Sequence, residues 1–446
     1  MILFTALSFC ILLLLLASMI EFIREREHIA IIKTFIVFLL AIAVYLILRQ
    51  VNSPRILLSI NILIGITTTI LFVPFRRKKG SISYNYSHKH DERDIMFSRN
   101  ELKVDSNRYK NYYIANPQNL TPDLLFRKEP GLLSPEALYY HKDAFDAAKH
   151  SFIEIKKYHP QVIAKVAKNK AAVDVKRISE QLKKEALKLG ALHVGITPLL
   201  PYHLYSHKGR GEEYGNEIKT DHTYALAFTV EMNHSMVQAA PKASIVMESA
   251  QQYLNSAQIA TQLAQFIGEL GFSARAHIDG NYQLICPLVA KDAGLGRLGR
   301  MGLLMTPTHG PRMRIGVVTT NMELAAEKKS TDYSVEQFCT HCKKCSVCCP
   351  SQSISYNPPQ RINGHSKWQI NSESCFTYWC KVGTDCGRCM AVCPYSHPNT
   401  WFHNMVRRGI KNNYLFLRLA VYFDDFFYGK KPKPKKLPNN LIQKYW

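Results

Sequence analysis

The stretch Cys339-Thr-His-Cys342-Lys-Lys-Cys345-Ser-Val-Cys348-Cys349-Pro350 decides how this chain is read. Its C-x2-C-x2-C-x3-C-P spacing is that of a loop wrapped around a [4Fe-4S] cubane, three thiolates holding one cluster and the fourth reaching a second. A shorter copy follows as Cys386-Gly-Arg-Cys389-Met-Ala-Val-Cys393-Pro394. Spacing therefore assigns Cys339, Cys342, Cys345, Cys349, Cys386, Cys389 and Cys393 as metal ligands, one short of the set that two cubanes need. Cys375 is the choice for the missing ligand. Cys348 adjoins Cys349 and would point away from it, while Cys380 sits close to Cys386 and stays open as the alternative. If the crossing follows ferredoxins, one cluster takes Cys339, Cys342, Cys345 and Cys393, and the other takes Cys349, Cys375, Cys386 and Cys389. Zinc also uses C-x2-C pairs, but it closes with four ligands and lacks the C-x3-C-P ending. A disulfide framework conflicts with motifs that work as reduced thiolates.

Away from the cysteines, 446 residues at 47% hydrophobic are enough for two or three folded units. The net charge of +23 is spread along the chain, and its denser clusters lie beside apolar or tail segments. Anionic membrane lipid is thus the expected partner, and nucleic acid is not. Residues 2–20, 29–48 and 56–75 form three apolar stretches, each near the ~20 residues a helix needs to cross ~30 Å of hydrocarbon. The first lacks the basic start and small-residue cleavage site of a signal peptide. Arg24, Arg26 and Lys33 in the first loop and the run Arg76-Arg-Lys-Lys79 after the third stretch place both on the cytoplasmic side of the inner membrane. A domain that folds around clusters is expected on that side too, since it cannot be threaded through a membrane unfolded and no twin-arginine signal is read at the start of the sequence.

Residues 80–95 read as a polar linker whose His88 and His90 are expected to be solvated rather than metal-bound. Beyond it, helix and strand patterns alternate. A helix over 171–189 stops at Gly190, and strands are expected over 192–197, 224–230 and 314–320. A long helix over 244–270 carries a core stripe of Ile259, Leu263, Phe266, Ile267 and Leu270. Its second face, Tyr253, Ala257, Ala260 and Ala264, is flat enough to back a large planar ligand, with a phenol at its end. Close helix packing is the alternative for the same alanines. Gly294, Gly296 and Gly299 spell G-x-G-x-x-G, but a strand-like run follows instead of a helix. They are therefore expected to let the backbone approach something closely rather than to bind a dinucleotide.

The stretch Asp292-Ala-Gly-Leu-Gly-Arg-Leu-Gly-Arg-Met-Gly-Leu-Leu-Met-Thr-Pro, then Gly310-Pro-Arg-Met-Arg314 and the two cysteine motifs, resembles the corrinoid-dependent reductive dehalogenases. The likeness extends to Asp91-Glu-Arg-Asp-Ile-Met-Phe97, Tyr205-Ser-His-Lys-Gly-Arg210, Val230-Glu-Met232 and Asp424-Asp-Phe-Phe-Tyr-Gly429. The resemblance implies an α+β, nitroreductase-like domain holding a base-off, cobalamin-type cobamide, followed by a ferredoxin-like domain with two [4Fe-4S] clusters. No D-x-H-x-x-G motif offers a histidine to cobalt. By position in the motifs, Tyr253 resembles the family's proton-donating tyrosine, Arg314 the basic residue that favours its phenolate, and Asn281 an asparagine lining the halide pocket. Ala257, Ala260, Gly294, Gly296 and Gly299 are the expected corrinoid contacts.

The implied organisation is a three-helix membrane anchor over 1–79, a linker over 80–95 and a catalytic domain over 96–330. A cluster domain with an aromatic extension covers 331–429, and a basic tail 430–446. The aromatic residues after 395 are expected to pack over the cluster domain. The implied reaction removes halogen from a small organohalide, with electrons from a quinol or a reduced ferredoxin- or flavodoxin-type carrier. Respiratory members are exported and held by a separate small membrane protein whose paired glutamates Glu25-Arg-Glu27 resemble; in that protein the loop is thought to face outward, so the exoplasmic face is the alternative location. An epoxyqueuosine-reductase-like enzyme and a corrin-free membrane electron conduit are the competing functions.

Overall fold

In a computed structural model, residues 2–50, 53–74, 89–327, 332–362 and 365–436 are described. Most of the expected linker, with His88, and the end of the basic tail lie outside them. The chain divides into two compact units. One is built from Met1–Gly80, Gln337–Cys342 and His397–Pro432, the other from Ser81–Glu336, Lys343–Ser396 and Lys433–Trp446.

The larger unit is organised by an antiparallel sheet. In chain order its strands are β1 (His193–Pro198), β2 (Tyr224–Glu231), β3 (Ala274–His277) and, after a short hairpin of β4 (Arg297–Leu298) and β5 (Leu304–Met305), β6 (Met313–Thr320). The spatial order is β1-β2-β6-β3, with every neighbouring pair antiparallel. Side chains of a strand alternate between faces, so Leu226, Phe228 and Val230 of β2 and Val318 of β6 meet one core, while Ala225, Ala227, Met313 and Val317 meet another. The first core is closed by the helices Val175–Lys188 and Ser244–Glu269, the second by Cys286–Asp292. Helices on an all-antiparallel sheet make the unit α+β.

The helix Ser244–Glu269 ends one residue before the predicted boundary, and Gly271 takes the left-handed φ of +83° that stops it. Ile259, Leu263 and Ile267 are buried along its core stripe, each contributing about 1.5–3 kcal/mol. The helix can press onto the sheet because Gly316 of β6 lies opposite Phe228 of β2. A Cβ there would come within 2.2 Å of Phe228 Cζ and 2.6 Å of Ser256 Oγ. This close approach brings Tyr253, one turn before Ser256, over Arg314, two residues before Gly316 on the same face of β6.

In the smaller unit, helices Phe4–Arg24 and His28–Arg49 have mean hydropathies of 2.5 and 2.7 and are long and apolar enough to cross a membrane. Leu14, Phe35 and Leu39 are among their exposed side chains, as a lipid-facing surface requires. The third expected span forms the helix Pro54–Phe72, whose apolar run Arg55–Leu71 is shorter. Buried Asn413 links it to the last helix. Its amide donates to Ile70 O and Val73 O at 2.7 and 2.8 Å, and its Oδ1 accepts from Phe416 N. The aromatic segment His397–Pro432 therefore belongs with the N-terminal helices, not with the larger unit that carries most of the cysteines.

Glu25 is the polar centre of the smaller unit. Its carboxylate lies 2.5 Å from His403 Nε2 and 3.3 Å from His397 Nδ1, and accepts from Tyr428 Oη at 3.2 Å. His397 Nε2 in turn meets Asp424 at 2.9 Å, and the two imidazoles stack 4.8 Å apart. Burial works against charge here, but Asp424 and Glu25 overcome it and raise His397 to about 9. Burial wins at His403, which stays below its ordinary value. The bonds and charges of the two histidines likewise outweigh burial at Glu25 and hold its carboxyl well below the usual range. One imidazolium thus sits between two carboxylates while its stacked neighbour is neutral.

Candidate active site

A cavity of about 520 Å³ opens where the helix Ser244–Glu269 passes over the end of β6. Ser249, Tyr253 and Ser256 face it from the helix and Arg314 from the strand. The Arg314 guanidinium stands 4.8 Å from the centre of the Tyr253 ring. It is anchored on its other side by Asp385 at 2.7 Å, and Ser249 bonds both Arg314 and Asp385. Burial pushes the Tyr253 phenol above its ordinary value and Arg314 pulls it part of the way back. The expected net lowering is therefore reversed, because removing a phenolate from water costs more than one guanidinium returns. The phenol stays protonated at neutral pH, with a cation placed to stabilise the anion it leaves on giving up its proton.

Three groups of expected contacts fall elsewhere. Ala257 and Ala260 are 0% exposed and packed in the core with Leu226, Phe228 and Val318, so the face presented to the cavity is the serine-tyrosine one. Gly294, Gly296 and Gly299 belong to the β4–β5 hairpin and its approach. A Cβ on Gly296 would meet Met305 O at 2.2 Å, so the close partner of the glycines is the chain's own backbone. Asn281 closes a turn with Ile278, and its side chain accepts from Arg275 Nη2 at 2.7 Å, away from the cavity. Two residues earlier, Asp279 lines the cavity instead.

Ser249, Asp385 and Asp279 were not singled out by sequence reasoning. Ser249 could have been found one turn before Tyr253 on the same helix face, and Asp385 as the residue preceding Cys386.

The thiols of Cys349, Cys375, Cys386 and Cys389 lie close enough to act on one another electrostatically. Burial pushes Cys375 up to about 11, with Cys349 adding to it. Burial likewise raises Cys386 to about 12, with Cys375 and Cys349 adding, and drives Cys389 well above its ordinary value, with the other three contributing. Thiolates so placed are costly unless a cation holds them, which suits a cluster site. Cys380 is different: burial raises it, Glu129 is its charged neighbour, and it packs against Phe126 and Phe376. The two motif copies repeat one backbone device. Lys343 and Gly387, each just after the first cysteine of a C-x2-C pair, take left-handed φ of +54° and +62° and start the short helices Lys344–Val347 and Arg388–Ala391.

The cavity also suits a large macrocycle. Arg314 Nε and Asp385 Oδ1 are buried on its wall without a hydrogen-bond partner among the described residues, and amide side chains of a corrin rim could serve them. His277, the histidine lining it, has both ring nitrogens engaged, by Thr319 at 2.9 Å and Gln283 N at 3.2 Å, and cannot ligate cobalt from there.

Comparison with known proteins agrees with this architecture. The 4Fe-4S dicluster domain family matches residues 338–397. A tetrachloroethene reductive dehalogenase of Desulfitobacterium hafniense is 32% identical over 238 residues, which are 50% of this chain and 42% of that protein. The chain thus spans less than half the length of that relative. The catabolic reductive dehalogenase NpRdhA in complex with 3-bromo-4-hydroxybenzoic acid superimposes with a TM-score of 0.59 at 26% identity, covering 67% of this chain and 43% of that one. A reductive dehalogenase described in terms of B12-dependent dehalogenation shares the fold at a TM-score of 0.59 and 24% identity, covering 73% of this chain and 48% of that one. By sequence over about half of its length, and by fold, the chain is similar to the reductive dehalogenases.

Proposed function

We propose that this protein is a membrane-attached reductive dehalogenase that carries out R–X + 2e⁻ + H⁺ → R–H + X⁻. One observation carries the reading: Arg314 meets the Tyr253 ring on one side and Asp385 on the other, and Asp385 directly precedes the cluster thiol Cys386. A proton donor and an electron entry are therefore tied into one ion-paired wall. When bound, a corrinoid supplies the low-valent cobalt that breaks the carbon–halogen bond, and the two [4Fe-4S] clusters supply its electrons. Cys349, Cys375, Cys386 and Cys389 would hold the cluster beside the cavity. Cys339, Cys342, Cys345 and Cys393 would hold the other, on the strength of their spacing and the dicluster match.

The chain's own part is the proton. Tyr253 keeps it until charge develops on the carbon losing halogen. Arg314 then stabilises the phenolate, and the apolar walls at Phe97, Leu132 and Trp379 exclude water that would screen the pair. Three membrane spans with the catalytic unit on the cytoplasmic face follow from the charges flanking the apolar stretches. The electron donor is a quinol or a reduced ferredoxin- or flavodoxin-type carrier.

Halide release from a panel of organohalides by the anaerobic, cobamide-reconstituted enzyme with a low-potential reductant tests the reading. Tyr253→Phe is expected to lower the rate by about 10²–10⁴ with iron content unchanged. Full activity in that variant would refute the assigned proton donor.

A further inference from the structure

The proton chemistry leaves the carboxyl of Asp279 unused. Asp279 reaches the cavity from a turn fixed by two backbone bonds between Ile278 and Asn281 and by His159 Nε2 on its own carbonyl at 3.0 Å. Its carboxyl has no hydrogen bond or ion pair among the described residues. The cations that act on it, Arg210 and Arg314, are committed elsewhere, to Glu92 at 3.1 Å and to Asp385 at 2.7 Å. His159, Glu101 and the protonated Tyr253, Tyr282 and Cys286 complete its electrostatic surroundings. The same cavity is lined by Phe152, Ile278, Leu284 and Trp379, which can pack a ring but cannot satisfy a carboxyl. A polar group left unpaired in such a space carries a free-energy cost that a ligand with the matching donor removes.

We propose that Asp279 is the substrate-recognition group of this cavity and that the organohalide is an aromatic one bearing a hydroxyl or amino group, a halophenol or haloaniline, rather than a bare haloalkene. The inference rests on the dehalogenase reading and names its substrate class. In either protonation state a carboxyl presents an acceptor oxygen to an O–H or N–H donor. A haloalkene or an unsubstituted haloarene leaves that oxygen unpaired, which is how a polar site rejects an analogue that lacks one group.

The test compares 2-bromophenol with bromobenzene, which differ by the hydroxyl alone, in equilibrium binding to the oxidised, cluster- and cobamide-loaded enzyme, where no turnover occurs. The phenol is expected to bind at least about 10-fold tighter. Asp279→Leu, at unchanged iron content and cluster absorbance, should bring the two within about 2-fold, and Asp279→Asn, which keeps an acceptor oxygen, should retain most of the difference. Equal affinities in the wild type, or a preference that survives Asp279→Leu, would overturn the assignment. Bromide release by the reduced enzyme separates the two readings. Tight phenol binding with no bromide released from either compound would refute the dehalogenase reading and the substrate class with it, whereas release from both at similar rates would refute the role of Asp279 alone.

Discussion

Replacing Arg314 with Gln removes the cation that stands over the Tyr253 ring, and the size of the effect can be worked from the geometry. At the 4.8 Å guanidinium-to-ring distance, a unit charge pair in an effective dielectric of about 20 interacts by about 3.5 kcal/mol. That energy is absent while Tyr253 is a neutral phenol and is gained as its proton leaves, so it lowers the barrier rather than the ground state. The expected loss in Arg314→Gln is about 300-fold in the chemical step. Arg314→Lys, which keeps a charge but loses the fork that also holds Asp385 and Ser249, should recover part of it. Single-turnover halide release on pre-reduced enzyme with matched iron content is the assay, because it isolates chemistry from electron supply. The double variant with Tyr253→Phe provides the sharper test. If Arg314 acts through the phenol, adding Arg314→Gln to Tyr253→Phe should cost little more. A further loss of about 300-fold in the double variant, or near-full activity in Arg314→Gln, would refute the reasoning.

Cys375→Ser should lose about four of about eight irons per chain, while Cys380→Ser, whose thiol packs against Phe126 and Phe376, should keep them all; iron analysis of the purified variants decides. Gly316→Ala forces a methyl within 2.2 Å of Phe228 Cζ. It is expected to cost about 1–3 kcal/mol in a denaturant melt and to slow dehalogenation by moving Tyr253 off Arg314. The smaller unit should loosen in alkali. His397 is raised from 6.5 to about 9, so its contribution of about 3 kcal/mol is complete below its ordinary value and lost as pH rises through about 9. Glu25 is depressed and has the opposite sign, its contribution being lost only as pH falls below the ordinary carboxyl range. Amide protection across 401–428 in detergent, measured relative to the base-catalysed intrinsic rate, should therefore fall markedly between pH 7 and pH 10, and equal protection at both would contradict the ion-paired reading of His397.

The dicluster segment, the strands and the long helix were legible because each is written in a local pattern: C-x2-C spacing, alternation, and a stripe ending at Gly271. Tyr253 and Arg314 were legible from motif position, and their union depends on a feature that shows only in three dimensions, the close approach allowed at Gly316. Reading Ala257 and Ala260 as ligand contacts failed because small residues serve a packed core as well as an open face. Helical spacing gives the face but not what covers it. Asn281 does not line the cavity, whereas Asp279 does. In a turn, neighbouring side chains point in different directions, so Asp279 faces the cavity while Asn281 turns to Arg275. The place of 397–432 could not be read at all, since its partners Glu25 and Ile70 lie more than three hundred residues away in sequence.

The central claim is that one cavity wall joins cobalt chemistry to cluster electrons, and metal content with the visible spectrum of the anaerobically purified, cobamide-reconstituted protein tests it most directly. About eight irons and one cobalt per chain, with a corrin band that bleaches and returns with reduction and oxidation, is the predicted result. Iron at that level with no cobalt retained would contradict it and leave a membrane electron conduit as the function.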